Sequence, residues 1–131
     1  VLAGNGVGAR FTSSSAYFED NVVTDNLWAA VQLSGGTHLV LEDNLISGNG
    51  EGVVDLRPCG GVIALTCSWI SSEDDVITDN RGDGVRVNGT STFDGTLVAD
   101  NRGNGLALGS ATLVDVTARD NGRDGARAAP S

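Results

Sequence analysis

Lysine and methionine are missing from this chain of 131 residues, histidine occurs once, and proline and cysteine occur twice each. Arginine is therefore the main base, with 8 arginines set against 17 acidic residues and a formal net charge of −9. A field of that sign repels phosphate backbones and anionic lipid headgroups, so neither nucleic acid nor membrane insertion is expected. No apolar run approaches the roughly 20 residues that a membrane-spanning helix needs. With His38 alone, and Cys59 and Cys67 lacking a second pair of ligands, a zinc site is not expected either. No Pro-rich or Ser-rich linker interrupts the chain, which reads as one domain over residues 1–131.

What the chain does have is glycine, 19 of them, and a repeat. Asparagines recur at Asn26, Asn49, Asn80, Asn101 and Asn121, with Asn5 ahead of them. Five residues past each of the five stand Val31, Val54, Val85, Leu106 and Ala126, and two further on Leu33, Leu56, Val87, Leu108 and Ala128. The residues between, Gln32, Asp55, Arg86, Ala107 and Arg127, are mostly polar. This alternation is the period of a strand facing a core on one side. Three residues before the anchors come Val23, Ile46, Ile77, Val98 and Ala118. A fixed period of this size means stacked units, none able to bury its apolar face alone. The first unit is offset: Ala9 and Phe11 face inward around Arg10, one residue early relative to Asn5.

Segments 43–56 (DNLISGNGEGVVDL), 75–87 (DVITDNRGDGVRV) and 96–108 (TLVADNRGNGLAL) make the chain resemble the right-handed parallel β-helix, or pectate-lyase-like, superfamily over nearly its whole length. The expected fold is all-β, a single-stranded right-handed solenoid of about six coils of 20–23 residues. The resemblance implies that Asn26, Asn49, Asn80, Asn101 and Asn121 form a structural ladder, each amide bonded to the coils above and below. Asparagine tolerates left-handed backbone at a turn, and stacked amides satisfy one another.

Between Asn49 and Asn80 the spacing grows to 31, an insertion of about residues 57–67 that carries both cysteines. Either Cys59 and Cys67 close it with a disulfide, contributing perhaps ~2 to 3 kcal/mol, or both are buried thiols. A stapled loop suits an exported protein, so the expected location is extracellular or at the cell surface.

Carboxylates fall in columns. Glu19, Glu42, Glu73 and Asp94 lie seven before the anchors, Asp20, Asp43, Asp74 and Asp115 six before, and Asp25, Asp79, Asp100 and Asp120 one before. Stacked about 5 Å apart, such columns repel or share a cation. Glu19, Asp20, Glu42, Asp43, Glu73 and Asp74 are the candidate calcium ligands, and the alternative is a solvated acidic flank partly offset by Arg81, Arg102 and Arg119. The segment 79–84 begins like an EF-hand loop, but Arg81 stands at the third ligand position and Thr90 at the twelfth.

No catalytic residue is assigned. Glu73-Asp74-Asp75 is drift of the series Glu-Asp-Asn, and Arg57-Pro58 is only a fragment of the lyase pattern that the resemblance calls to mind. Trp28, Arg86 and Arg127 are candidate glycan contacts, since arginine and aromatic rings on a flat sheet suit uronic acids and sugar rings. The expectation is a non-catalytic structural or adhesive solenoid, a segment of a longer one, binding a polysaccharide or self-associating through uncapped ends. The alternative is a fragment or remnant of a polysaccharide lyase or glycoside hydrolase.

Overall fold

The computed structural model describes residues 1–56 and 67–128. Turns rich in Gly, Asp and Asn cut the sequence too often for a helix, and every regular element among the described residues is a strand. Strands β1 (Leu2–Ala3), β2 (Val7–Thr12) and β3 (Ser15–Glu19) form a first coil. The second is β4 (Val22–Thr24), β5 (Ala29–Ser34) and β6 (His38–Glu42), and the third β7 (Leu45–Ser47), β8 (Glu51–Asp55) and β9 (Trp69–Glu73). The fourth and fifth are β10 (Val76–Thr78) with β11 (Val85–Asp94) and β12 (Leu97–Ala99) with β13 (Leu106–Val114). Last come β14 (Thr117–Arg119) and β15 (Ala126–Ala128).

Each strand pairs in parallel with its equivalent in the next coil. One sheet runs β1-β4-β7-β10-β12-β14. The other turns a corner: β11 pairs with β8 through its first half and with β9 through its second, and alternates buried and exposed throughout. The result is a parallel β-solenoid of about five turns. Six coils were expected from six asparagines, Asn5 included, but an anchor marks only one corner, and among the described residues β15 is followed by no third strand.

The core is aliphatic with two phenylalanines. Val23, Ile46, Ile77 and Val98 point inward from the first sheet, and Val31, Leu33, Val53, Val85, Val87 and Leu106 from the second, all fully buried. Leu39, Leu41, Ile70 and Phe93 close the third side. Ala9 and Phe11 pair with Val31 and Leu33 and pack against this core, as their offset indicated.

In the third coil the expected columns are wrong by one residue. Val53, not Val54, pairs with Val31 and Val85, while Val54 falls in the column of Gln32 and Arg86. Asp55 takes the inward place of Leu33 at 5% exposure, and Leu56 is 55% exposed. The strand begins a residue sooner after its anchor, Glu51 pairing with Ala29, because one residue fewer separates Asn49 from Gly52 than Asn80 from Gly84. A Cβ on Gly52 would lie 2.0 Å from the Gly84 carbonyl oxygen, so only glycine lets the two rungs approach there.

Left-handed backbone also lies elsewhere than expected. The anchors do not adopt it; the residue before each does. Asp25, Asp79, Asp100 and Asp120 hold φ of 54–55°, with Gly4 and Gly48 completing that column. The column six before the anchors behaves alike, through Asp20, Asp43, Asp74, Gly95 and Asp115. Aspartate and glycine are the residues that adopt this conformation readily. Of the expected insertion of about 57–67, all but Cys67 lies outside the described residues, and Cys59, which the expected Cys59–Cys67 pairing needs, lies there too.

Candidate functional site

Two polar ladders run through the solenoid. In the first, the main-chain N–H of Asn26, Asn49, Asn80 and Asn101 donates to Oδ1 of the next asparagine at 3.0–3.1 Å. Nδ2 donates to the same oxygen at 2.9–3.2 Å. Asn26, Asn49, Asn80 and Asn101 are buried, and Nδ2 of Asn49, Asn101 and Asn121 also reaches carbonyls of the preceding coil. At about 1 kcal/mol net per bond, each rung fixes the axial register as much as it stabilises it. The second ladder follows the other left-handed column, through Asn21, Asn44 and Asp75 and, by way of the Ser72 hydroxyl, Thr96. Sequence reasoning missed it because its members differ chemically; the signal was the recurring pair at Asp20-Asn21, Asp43-Asn44 and Asp74-Asp75.

The candidate calcium ligands divide between two places. Glu19, Glu42 and Glu73 stand in register on the outward face of β3, β6 and β9, with Asp94 next. Repulsion, from Glu19 first, holds the Glu42 carboxyl above its ordinary range. Asp20, Asp43 and Asp74 occupy the left-handed turns. Among the described residues no group of three or more His, Cys, Asp or Glu side chains is arranged to hold a metal ion.

Positive charge, by contrast, is gathered at one corner of the later coils. Arg81 and Arg102 follow their anchors in neighbouring rungs, the Arg102 N–H donating to the Asn80 carbonyl at 2.9 Å. Arg86 and Arg127 share a column with only Ala107 between them. Stacking makes two adjoining depressions of about 330 and 300 Å³, which share Asp83, Arg86 and Arg123. Arg127 lines the first, Arg81 and Arg102 the second. Two of the candidate glycan contacts, Arg86 and Arg127, thus come together, while Trp28 stands 69% exposed at the turn before β5 and lines neither depression.

Arg86 bridges two carboxylates, Glu51 at 3.0 Å and Asp83 at 3.7 Å. Asp83 is held by Asn104, whose N–H and Nδ2 donate to its Oδ1 at 2.7 and 3.0 Å. Burial pushes the Glu51 carboxyl up against the opposing pull of Arg86, and Glu51 Oε2 is buried without a hydrogen bond. Among the described residues Arg81, Arg102, Arg123 and Arg127 make no ion pair, and the Arg81 guanidinium donates to the Asn26 carbonyl at 3.3 Å, so no carboxylate neutralises their charge. Sequence reasoning missed Arg81, Arg102 and Arg123 as a group because two follow the anchor directly and one stands two residues past it.

On a second face Trp69 stacks on His38, ring centroids 3.3 Å apart and planes within 12°. Beside this pair Trp69, Thr90, Thr92 and Cys67 line a depression of about 420 Å³. Compared with protein-family models, curated proteins and solved structures, the chain matches none.

Proposed function

We propose that this chain is a non-catalytic structural or adhesive β-solenoid of the pectate-lyase-like kind, working outside the cell and holding an acidic glycan at its arginine corner. The observation that carries the reading is charge placement. Five of the eight arginines line two adjoining depressions of a chain whose net charge is −9. An acidic protein gains nothing in folding by gathering its cations; repulsion among them is relieved by an anion. Guanidinium forks bind carboxylates through paired hydrogen bonds, the kind of group that a uronate presents.

Affinity electrophoresis through gels containing polygalacturonate or dextran tests this. The chain should be retarded by the uronate polymer alone, and Arg102→Gln with Arg123→Gln should abolish the retardation. Equal mobility in both gels would overturn the reading.

One observation favours a remnant of a hydrolase: Glu51 and Asp83 flank Arg86 in the same groove, and burial raises the Glu51 carboxyl, as a general acid requires. Reducing-end release, or ultraviolet absorbance of unsaturated uronates, would decide for that alternative.

A further inference from the structure

The second ladder carries a carboxyl at Asp75, where Asn21 and Asn44 before it carry amides and Thr96 after it a hydroxyl. Asp75 is fully buried, as are Asn44 and Thr96 to within 1%, and Ser72 is 2% exposed. The Asn44 N–H and Nδ2 both donate to Asp75 Oδ1 at 2.8 Å. On the other side three polar contacts follow in a row. Ser72 Oγ lies 2.6 Å from Asp75 Oδ2, Thr96 Oγ1 lies 3.0 Å from Ser72 Oγ, and the Asp94 carbonyl oxygen lies 3.1 Å from Thr96 Oγ1.

Counting hydrogens decides how this row is made. A hydroxyl donates once, an ionised carboxylate never, and a carbonyl never. With Asp75 ionised, Ser72 and Thr96 supply two hydrogens for three contacts, so one contact joins two bare acceptors. With Asp75 protonated there are three hydrogens for three contacts, running Asp75 to Ser72 to Thr96 to the Asp94 carbonyl. An asparagine at this place would supply the same third hydrogen from Nδ2.

The charged surroundings act in the same direction. The preceding coil presents Asp43, whose charge raises the Asp75 carboxyl; Glu73 and Asp74 come just before it on its own coil, and Asp94 pairs with Glu73 on the following one. Burial is the largest influence and favours the neutral form, opposed by the Ser72 and Asn44 hydrogen bonds.

We propose that Asp75 carries a proton in the folded chain as the third hydrogen of this relay, so that the second ladder tightens in acid and loosens as the pH rises. On ionisation the Oδ2 proton leaves to solvent, Ser72 turns its hydrogen to Oδ2, and Thr96 must choose between Ser72 and the Asp94 carbonyl. A carboxyl that holds its proton more tightly folded than unfolded contributes stability that is complete below the ordinary aspartate range. That stability is lost as the pH climbs through the folded value. The arginine corner and its ligand take no part in the relay.

The test is a carboxyl-detected NMR titration of the whole chain, with thermal unfolding from about pH 4 to about pH 8. Asp75 should titrate above the ordinary aspartate range. Its midpoint should fall in Thr96→Val, where Ser72 alone satisfies the one remaining contact. Asp75→Asn should flatten the fall in melting temperature with pH, compared with the unaltered chain. Titration of Asp75 in or below the ordinary range, an unchanged midpoint in Thr96→Val, or an equal slope in Asp75→Asn would each overturn the proposal. Should Asp75→Asn fail to fold, the two titrations decide.

Discussion

Eight of the seventeen acidic residues are aspartates with φ between 47° and 55°, at two fixed corners of the coil. Where aspartate is missing from those corners, glycine stands in its place, at Gly4, Gly48 and Gly95. Backbone conformation and not charge is what the two residues have in common. Much of the acidity is therefore a by-product of turns that accept few side chains. Asp100→Val should cost about 1–2 kcal/mol despite removing a charge from an over-acidic chain, because a β-branched residue is strained at positive φ. Asp100→Asn should be nearly neutral. Urea unfolding distinguishes them; a stabilised Asp100→Val would mean that repulsion outweighs strain.

At the scale of strands, the third coil separates two ways of aligning the repeat. If Val53 and not Leu56 faces the core, Val53→Asp buries an unpaired charge and should cost more than about 4 kcal/mol, leaving the chain unfolded by circular dichroism. Leu56→Asp, at an exposed position, should stay within about 0.5 kcal/mol of the parent. The opposite result would restore the alignment by sequence spacing. Spacing was a sound guide wherever the turn had constant length, as at Val31, Val85 and Leu106, and failed where the turn after Asn49 is one residue shorter. The asparagine ladder was legible because its rungs repeat one residue type. The second ladder was not, since Asn44, Asp75 and Thr96 share hydrogen bonding but no chemistry a pattern would catch. Nor was the arginine corner, whose members come from different turn and strand positions and meet only through stacking.

For the whole molecule, salt should act in two opposite directions. The outward column Glu19, Glu42, Glu73 and Asp94 repels itself, as the raised Glu42 carboxyl records, and added salt shortens the reach of that repulsion. Melting temperature should therefore rise as sodium chloride increases towards about 0.5 M, while retention on polygalacturonate weakens, since the same screening acts on the arginine corner. Calorimetry and affinity electrophoresis over one salt series read both. Parallel loss of stability and binding would show that the acidic columns are held by partners rather than straining apart.

Both ladders cross the third coil unbroken. Asn49 reaches Asn80 and Asn44 reaches Asp75 over 31 residues of chain, with bonds as short as those spanning 20 to 23 elsewhere. Chain length between rungs is thus uncoupled from distance along the axis. Doubling a loop adds only about 0.6 kcal/mol of closure entropy, while the rungs on either side continue to set where the strands return. The solenoid behaves like a bound book into which pages can be tipped at one edge without disturbing the spine. Extra chain between two rungs is thus tolerated without loss of register, and a fold of this kind can gain residues within a coil while its own grammar stays untouched.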